Sequence, residues 1–151
     1  MKNRKREGVM AWNSNPLQSY RETRVRTASQ GRLVVMLYDE AIKQIDIACS
    51  YLDQNSKQLD LVHNAVVRAQ EVVTELMVSL DFDHGGEIAR NLFNLYIYFH
   101  NQLMEANVRK ESKPLKEVRD FLATLRDAWV EIAKKFPGQS LGSSNGVNIA
   151  G

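Results

Sequence analysis

A single cysteine, Cys49, in 151 residues rules out an internal disulfide and gives no sign of an oxidising compartment. Three prolines and eight glycines are too few for a collagen-like chain. No run of about 18 apolar residues occurs, so no stable membrane insertion is expected. The basic start, Lys2 to Arg6, runs into Glu7-Gly8 and Trp12-Asn13-Ser14 with no apolar core behind it, unlike a secretory signal. A cytoplasmic protein is therefore expected. Phosphate-binding loops, Gly-x-Ser-x-Gly, Cys-x-x-Cys and Glu-x-x-His are all missing.

What is present is an ordinary globular balance, 44% hydrophobic and 25% charged, which argues against wholesale disorder. The net charge of +2 conceals an asymmetry. Residues 1–32 hold eight Lys and Arg against Glu7 and Glu22, whereas the remainder holds twelve basic and sixteen acidic residues. A basic leader thus precedes a mildly acidic body. A nucleic-acid binder working through that leader is a competing reading, but the acidic body opposes it.

From about residue 30 the apolar pattern has helical period nearly throughout. In 30–53 one row runs Leu33, Leu37, Ala41, Ile45, Ala48 and Leu52, and a second runs Val34, Tyr38, Ile42, Ile45 and Cys49. Thr27-Ala28-Ser29-Gln30 supplies capping chemistry before it. In 57–81, Leu59, Val62, Val66, Ala69, Val73, Leu76 and Leu80 recur at spacings of three and four, and Asp83-His84-Gly85-Gly86 predicts a turn. In 87–108, Ile88, Leu92, Leu95, Phe99 and Ala106 form one edge and Ala89, Phe93, Tyr96 and Leu103 another. In 113–136, after Ser112 and with Pro114 in the first turn, the row is Leu115, Val118, Leu122, Leu125, Trp129, Ile132 and Phe136.

Four amphipathic helices of similar length joined by short polar turns predict an all-α, antiparallel four-helix bundle. A flexible leader, 1–15, and a short capping segment, 16–28, precede it. A mobile Gly-, Ser- and Asn-rich tail, 137–151, follows it. Asn15-Pro16 starts the capping segment, which carries Leu17, Tyr20 and Val25 and is too short to be stable unless it lies on the bundle.

Catalytic chemistry is not legible. Asp60-x-x-His63 and Asp81-x-x-His84 fall at helix ends or turns and read as polar surface, and the calcium-loop pattern after Asp81 fails. Cys49 and Trp129 read as core, and His100 as interfacial packing. No catalytic residue, metal site or cofactor is therefore expected, and the chain reads as a binding protein. The surplus apolar rows on the first and third helices, with Phe93, Tyr96, Tyr98 and Phe99 close together, suggest either a thick core or a groove for an amphipathic partner helix. A dimeric bundle or helical adaptor that uses those rows for another partner is the alternative.

The residues that decide among these readings are Tyr20 with Val25-Arg26-Thr27-Ala28-Ser29, Leu33, Met36-Leu37-Tyr38-Asp39 and Ala41-Ile42. Asn64, Arg68-Ala69-Gln70, Glu75-Leu76 and Ser79-Leu80-Asp81 continue the set, followed by Gly85-Gly86-Glu87-Ile88-Ala89, Asn91-Leu92, Leu95-Tyr96 and Tyr98. Leu103, Ala106-Asn107, Leu115, Glu117-Val118 and Leu125-Arg126-Asp127-Ala128-Trp129 complete it. In this order the chain resembles the flagellin-specific export chaperone family, FliS, from Tyr20 to Trp129. It departs from the family pattern at Gln30, often Pro, and at Glu40, often Gly, and both replacements suit a helix.

The resemblance implies a cytoplasmic monomer or weak homodimer that binds the disordered C-terminal region of flagellin. Such binding prevents premature polymerisation and supports type III flagellar export, with the export gate and other flagellar regulators as further partners and no nucleic acid. It implies an N-terminal cap formed by Leu17, Tyr20, Val25 and Thr27, with Tyr20 as its plug. The expected partner-binding groove comprises Met36, Leu37, Tyr38, Asp39 and Ile42 on the first helix with Asn91 and Tyr96 on the third. Asp39 and Asn91 are its orienting polar contacts.

Overall fold

The structure, a computed structural model, describes residues 30–135. The expected leader, the cap residues Leu17, Tyr20, Val25 and Thr27, and the tail lie outside them. Four helices account for almost all of the described chain: α1 Gln30–Asp53, α2 Leu59–Val78, α3 Phe82–Arg109 and α4 Ser112–Lys135. Each packs beside its predecessor and α4 returns to α1, so the four close an all-α ring around one core.

Local chemistry ends the helices. At the end of α1, Asn55 adopts left-handed backbone (φ 53°), the Ser56 amide donates to the Tyr51 carbonyl and the Asn55 amide donates to Leu52. That pairing satisfies carbonyls the helix leaves open, and asparagine tolerates the left-handed region better than most residues. Lys110 (φ 54°) ends α3 the same way, with the Glu111 amide on the Ala106 carbonyl.

The chain is interrupted at Gly86, within the expected turn, but residues 82–85 ahead of it form one helical turn that opens α3. Asp81 caps it, its carboxylate accepting from the amides of Asp83 (3.1 Å) and His84 (3.2 Å). The helical path then breaks at Gly86 alone, whose φ of 54° and ψ of −129° suit glycine and almost no other residue. Phe82 folds across the break onto Phe93, edge to face at 5.6 Å. α2 correspondingly ends at Val78, where the Ser79 hydroxyl donates to the Leu76 carbonyl.

The core contains the inward rows of all four helices: Ile45 and Ala48, Val66 and Val73, Phe99 and Leu103, Leu115 and Leu122 are fully buried. Each large side chain so placed contributes roughly 1.5–3 kcal/mol relative to exposure. Alanines at 41 and 48 of α1 and at 65 and 69 of α2 are buried, and side chains this small let those two helices approach closely. α1 therefore lies deep, covered by α2 on one side and α4 on the other. α3 turns Tyr96 and Phe99 inward, between Ala89 and Ala106, and keeps fewer of its residues buried than α1 does.

The α1–α4 seam is laced by ion pairs along its solvent edge. Asp39, Asp46 and Asp53, seven residues apart on α1, meet Arg126 (2.7 Å), Arg119 (3.0 Å) and Lys116 (3.0 Å) of α4. Two helical turns separate successive acids, so all three point along one line. The pairs set the register of α4 on α1 and add little stability individually.

Candidate functional site

The apolar side chains that stay exposed are not spread evenly. Among the described residues the large ones are Leu59, Val78, Phe82, Ile88, Ile97, Tyr98, Met104, Val108 and Phe121. Six belong to α3, and the other three lie on the helices that flank it. None lies on α1. The surplus apolar surface expected on both the first and the third helix is thus half-buried on α1, at Val35, Met36, Ile42 and Ile47, and displayed on α3.

α3 displays it along two edges. Ile97, Met104 and Val108, spaced seven and four residues apart, form a line beside His100 and Asn107. That edge faces α2, because the His100 carbonyl accepts from Gln70 and Asn107 hydrogen-bonds His63 at 2.9 Å. Leu59 of α2, one turn before His63, extends the line, and Val108 is 77% exposed at its end. The opposite edge faces α4. Tyr98 packs edge to face on Phe121 at 6.4 Å, and buried Phe99 supports Phe121 at 5.6 Å. Leu92 and Leu95 of α3 and Leu125 and Ile132 of α4 are half-buried against the core.

The residues expected to form the groove divide. Leu37, Tyr38 and Tyr96 lie inside the core at 1% exposure or less, where no partner reaches them without opening the bundle. Tyr38 and Tyr96 do come together, but hydroxyl to hydroxyl at 2.5 Å across the ring centre. The pKa values of both are raised, chiefly by burial, that of Tyr38 to about 12 despite hydrogen bonds from Tyr96 and the Trp129 indole. Ile42 is half-buried against the core. Asp39 is exposed but engaged with Arg126, while Asn91 is exposed on α3. Met36 lines a separate cavity of about 470 Å³ with Val35, Val130 and Ala133, between Arg32 and Lys134.

Periodicity measured the width of each apolar face but not which row lies outermost. Ile97, Met104 and Val108 fall in a third row of α3, beyond both rows read from the pattern. Phe121 stands outside the three-four row of α4 among Glu117, Asp120 and Thr124. An aromatic on an otherwise polar helix face was the available signal.

The remaining titratable groups belong to local structure. His84 pairs with the capping Asp81 carboxylate at 3.0 Å, and Asp60 stands in the first turn of α2. Cys49 is buried, and burial with Asp53 nearby pushes its thiol up to about 11, which disfavours the reactive thiolate. No helix among the described residues is long and apolar enough to cross a membrane.

Comparison with known proteins bears on this architecture. The model of the family described as flagellar protein FliS matches residues 13–136. A flagellar secretion chaperone FliS of Salmonella typhimurium is 32% identical over 123 residues, 76% of this chain and 84% of that protein. One of Escherichia coli is 32% identical over 111 residues, covering 73% and 80%. The Bacillus subtilis protein of the same name is 28% identical over 115 residues, covering 76% and 84%.

Proposed function

Because this chain belongs to the FliS family of flagellar secretion chaperones, we propose that it holds the disordered C-terminal region of flagellin along the two edges of α3. The observation that carries this reading is the exposed apolar surface gathered on α3 and its two flanking helices. A client that is unfolded before assembly can bury an amphipathic face in each edge, one beside α2 and one beside α4. Folding on the chaperone costs the client ordering entropy, offset by apolar burial of about 1,000–3,000 Å².

Covering those client surfaces in the cytoplasm keeps flagellin monomers from polymerising early and leaves them competent for type III export. α1, held between α2 and α4, acts as the rigid floor of the arrangement, and Asn91, exposed on α3, supplies an orienting polar contact on the client. The proposed partner-binding surface is therefore the exposed rows of α3 rather than the buried Leu37, Tyr38 and Tyr96.

Calorimetric titration with a flagellin C-terminal segment, beside a flagellin segment lacking that region, tests the proposal. One-to-one binding with a negative heat-capacity change is expected. Absence of binding to a monomeric, competent segment overturns it.

A further inference from the structure

On the α4-facing edge, Tyr98, Glu117, Asp120, Phe121 and Thr124 line a cleft of about 410 Å³. From its composition and geometry we infer that this cleft receives an arginine side chain of the docked segment; the inference rests on the client lying along α3. Two observations carry it, the open aromatic surface and the sign of the charge around it.

The aromatic wall is fixed before any ligand arrives. Tyr98 and Phe121 are 43% and 48% exposed, so each offers surface. Both pack on Phe99, with centroid separations of 6.0 and 5.6 Å, and Phe99 is fully buried. Rings held from behind lose little freedom on binding, and their faces attract a cation.

The rim is anionic. Among the described residues, Glu117 and Asp120 are the only charged ones lining the cleft. Glu117 has no ion-pair partner among the described residues. Among the described residues the ion-pair contact of Asp120 is a long one, 3.9 Å, with one Arg119 nitrogen, while two other nitrogens of that guanidinium donate to Asp46 at 3.0 and 3.5 Å. Arg126 and Lys116 are likewise drawn to α1, by Asp39 and Asp53. The Thr124 hydroxyl donates to the Asp120 carbonyl, leaving its oxygen lone pairs free to accept.

An aromatic wall beside two carboxylates suits a planar cation that stacks on one and hydrogen-bonds the other. A guanidinium does both at once, whereas an ammonium is a point charge with stronger hydration. The cleft thus reads one basic residue of the client and fixes the register of the apolar segment beside it.

A double-mutant cycle tests this. Each Arg and Lys of the flagellin C-terminal segment is replaced singly by Gln, and affinity is measured against the full-length chain and its Glu117→Gln/Asp120→Asn variant. One client arginine is expected whose loss weakens binding to the unmodified chain about tenfold and leaves binding to the variant unchanged. Strict additivity at every basic position overturns the inference. A second measurement is independent of flagellin: N-acetyl-Leu-Arg-Leu amide is titrated into the full chain while the Tyr98 and Phe121 ring resonances are followed by NMR. Saturable shifts with that peptide, absent with its Gln counterpart and in the double variant, support the cleft; no shifts overturn it. Failure of flagellin to bind, with the peptide shifts present, counts against the client assignment and not against the cleft.

Discussion

The hydroxyls of Tyr38 on α1 and Tyr96 on α3 meet at 2.5 Å in the middle of the bundle, joining two helices that lie diagonally across the ring. Neither residue is more than 1% exposed, so the two oxygens depend on each other and on the Trp129 indole for hydrogen bonds. Tyr38→Phe leaves both the Tyr96 hydroxyl and the indole short of a partner, whereas Tyr96→Phe leaves Tyr38 its indole contact. Each substitution is expected to cost about 1–3 kcal/mol, with Tyr38→Phe the more damaging. Urea unfolding checks the order; an equal or inverted ranking would show that Tyr38 is not the hub.

The same pair sets an alkaline limit. Burial raises the folded-state pKa of both phenols above the ordinary value of 10.0, that of Tyr38 to about 12. The folded chain therefore holds these protons more tightly than the unfolded chain. Their contribution to stability is complete below pH 10 and is lost as pH rises toward about 12. Absorbance of tyrosinate followed alongside circular dichroism should show two of the five tyrosines ionising only as the helices unfold.

Gly86 is predicted to be intolerant of a side chain for backbone reasons alone. A Cβ there would meet nothing within 4 Å, so any cost of Gly86→Ala comes from its positive φ and not from a clash. A loss of about 1–3 kcal/mol is expected, with faster hydrogen exchange over residues 82–86. An unchanged unfolding midpoint would mean that the break can shift to another conformation.

The ion pairs between α1 and α4 are expected to align the helices and to contribute little else. Removing the Asp46–Arg119 pair with Asp46→Asn should cost about 0.2–1 kcal/mol, an effect that fades in about 1 M salt. Asp39→Asn should leave affinity for the flagellin segment unchanged within about twofold, because that carboxylate already serves Arg126. A large loss of affinity would return Asp39 to the binding surface.

The bundle was legible because the apolar rows of α2 and α4 each keep one period from end to end, and short polar turns leave little choice of neighbour. The position of the proposed binding surface was not. α1 and α3 both carry wide apolar faces, and a sequence pattern assigns them equal standing. What separates them is helix spacing: α1 packs closely on both α2 and α4, while α3 lies more loosely on its two neighbours and leaves its outer row uncovered. Spacing of that kind depends on contacts between residues far apart in sequence. The interruption at Gly86 was legible from the adjacent glycines, but the helical turn ahead of it was not, since it depends on the capping Asp81 carboxylate.

The most direct test is calorimetric titration of a flagellin C-terminal segment into three forms of the chain: unmodified, Met104→Asp on the exposed edge of α3, and Met36→Asp on α1. Both substitutions add one charge to a partly exposed methionine, so they differ chiefly in location. A loss of about tenfold or more in affinity for Met104→Asp, with Met36→Asp close to the unmodified chain, is the predicted result. Equal binding by the unmodified and Met104→Asp chains, with affinity lost on Met36→Asp, would contradict the assignment and place the client on α1.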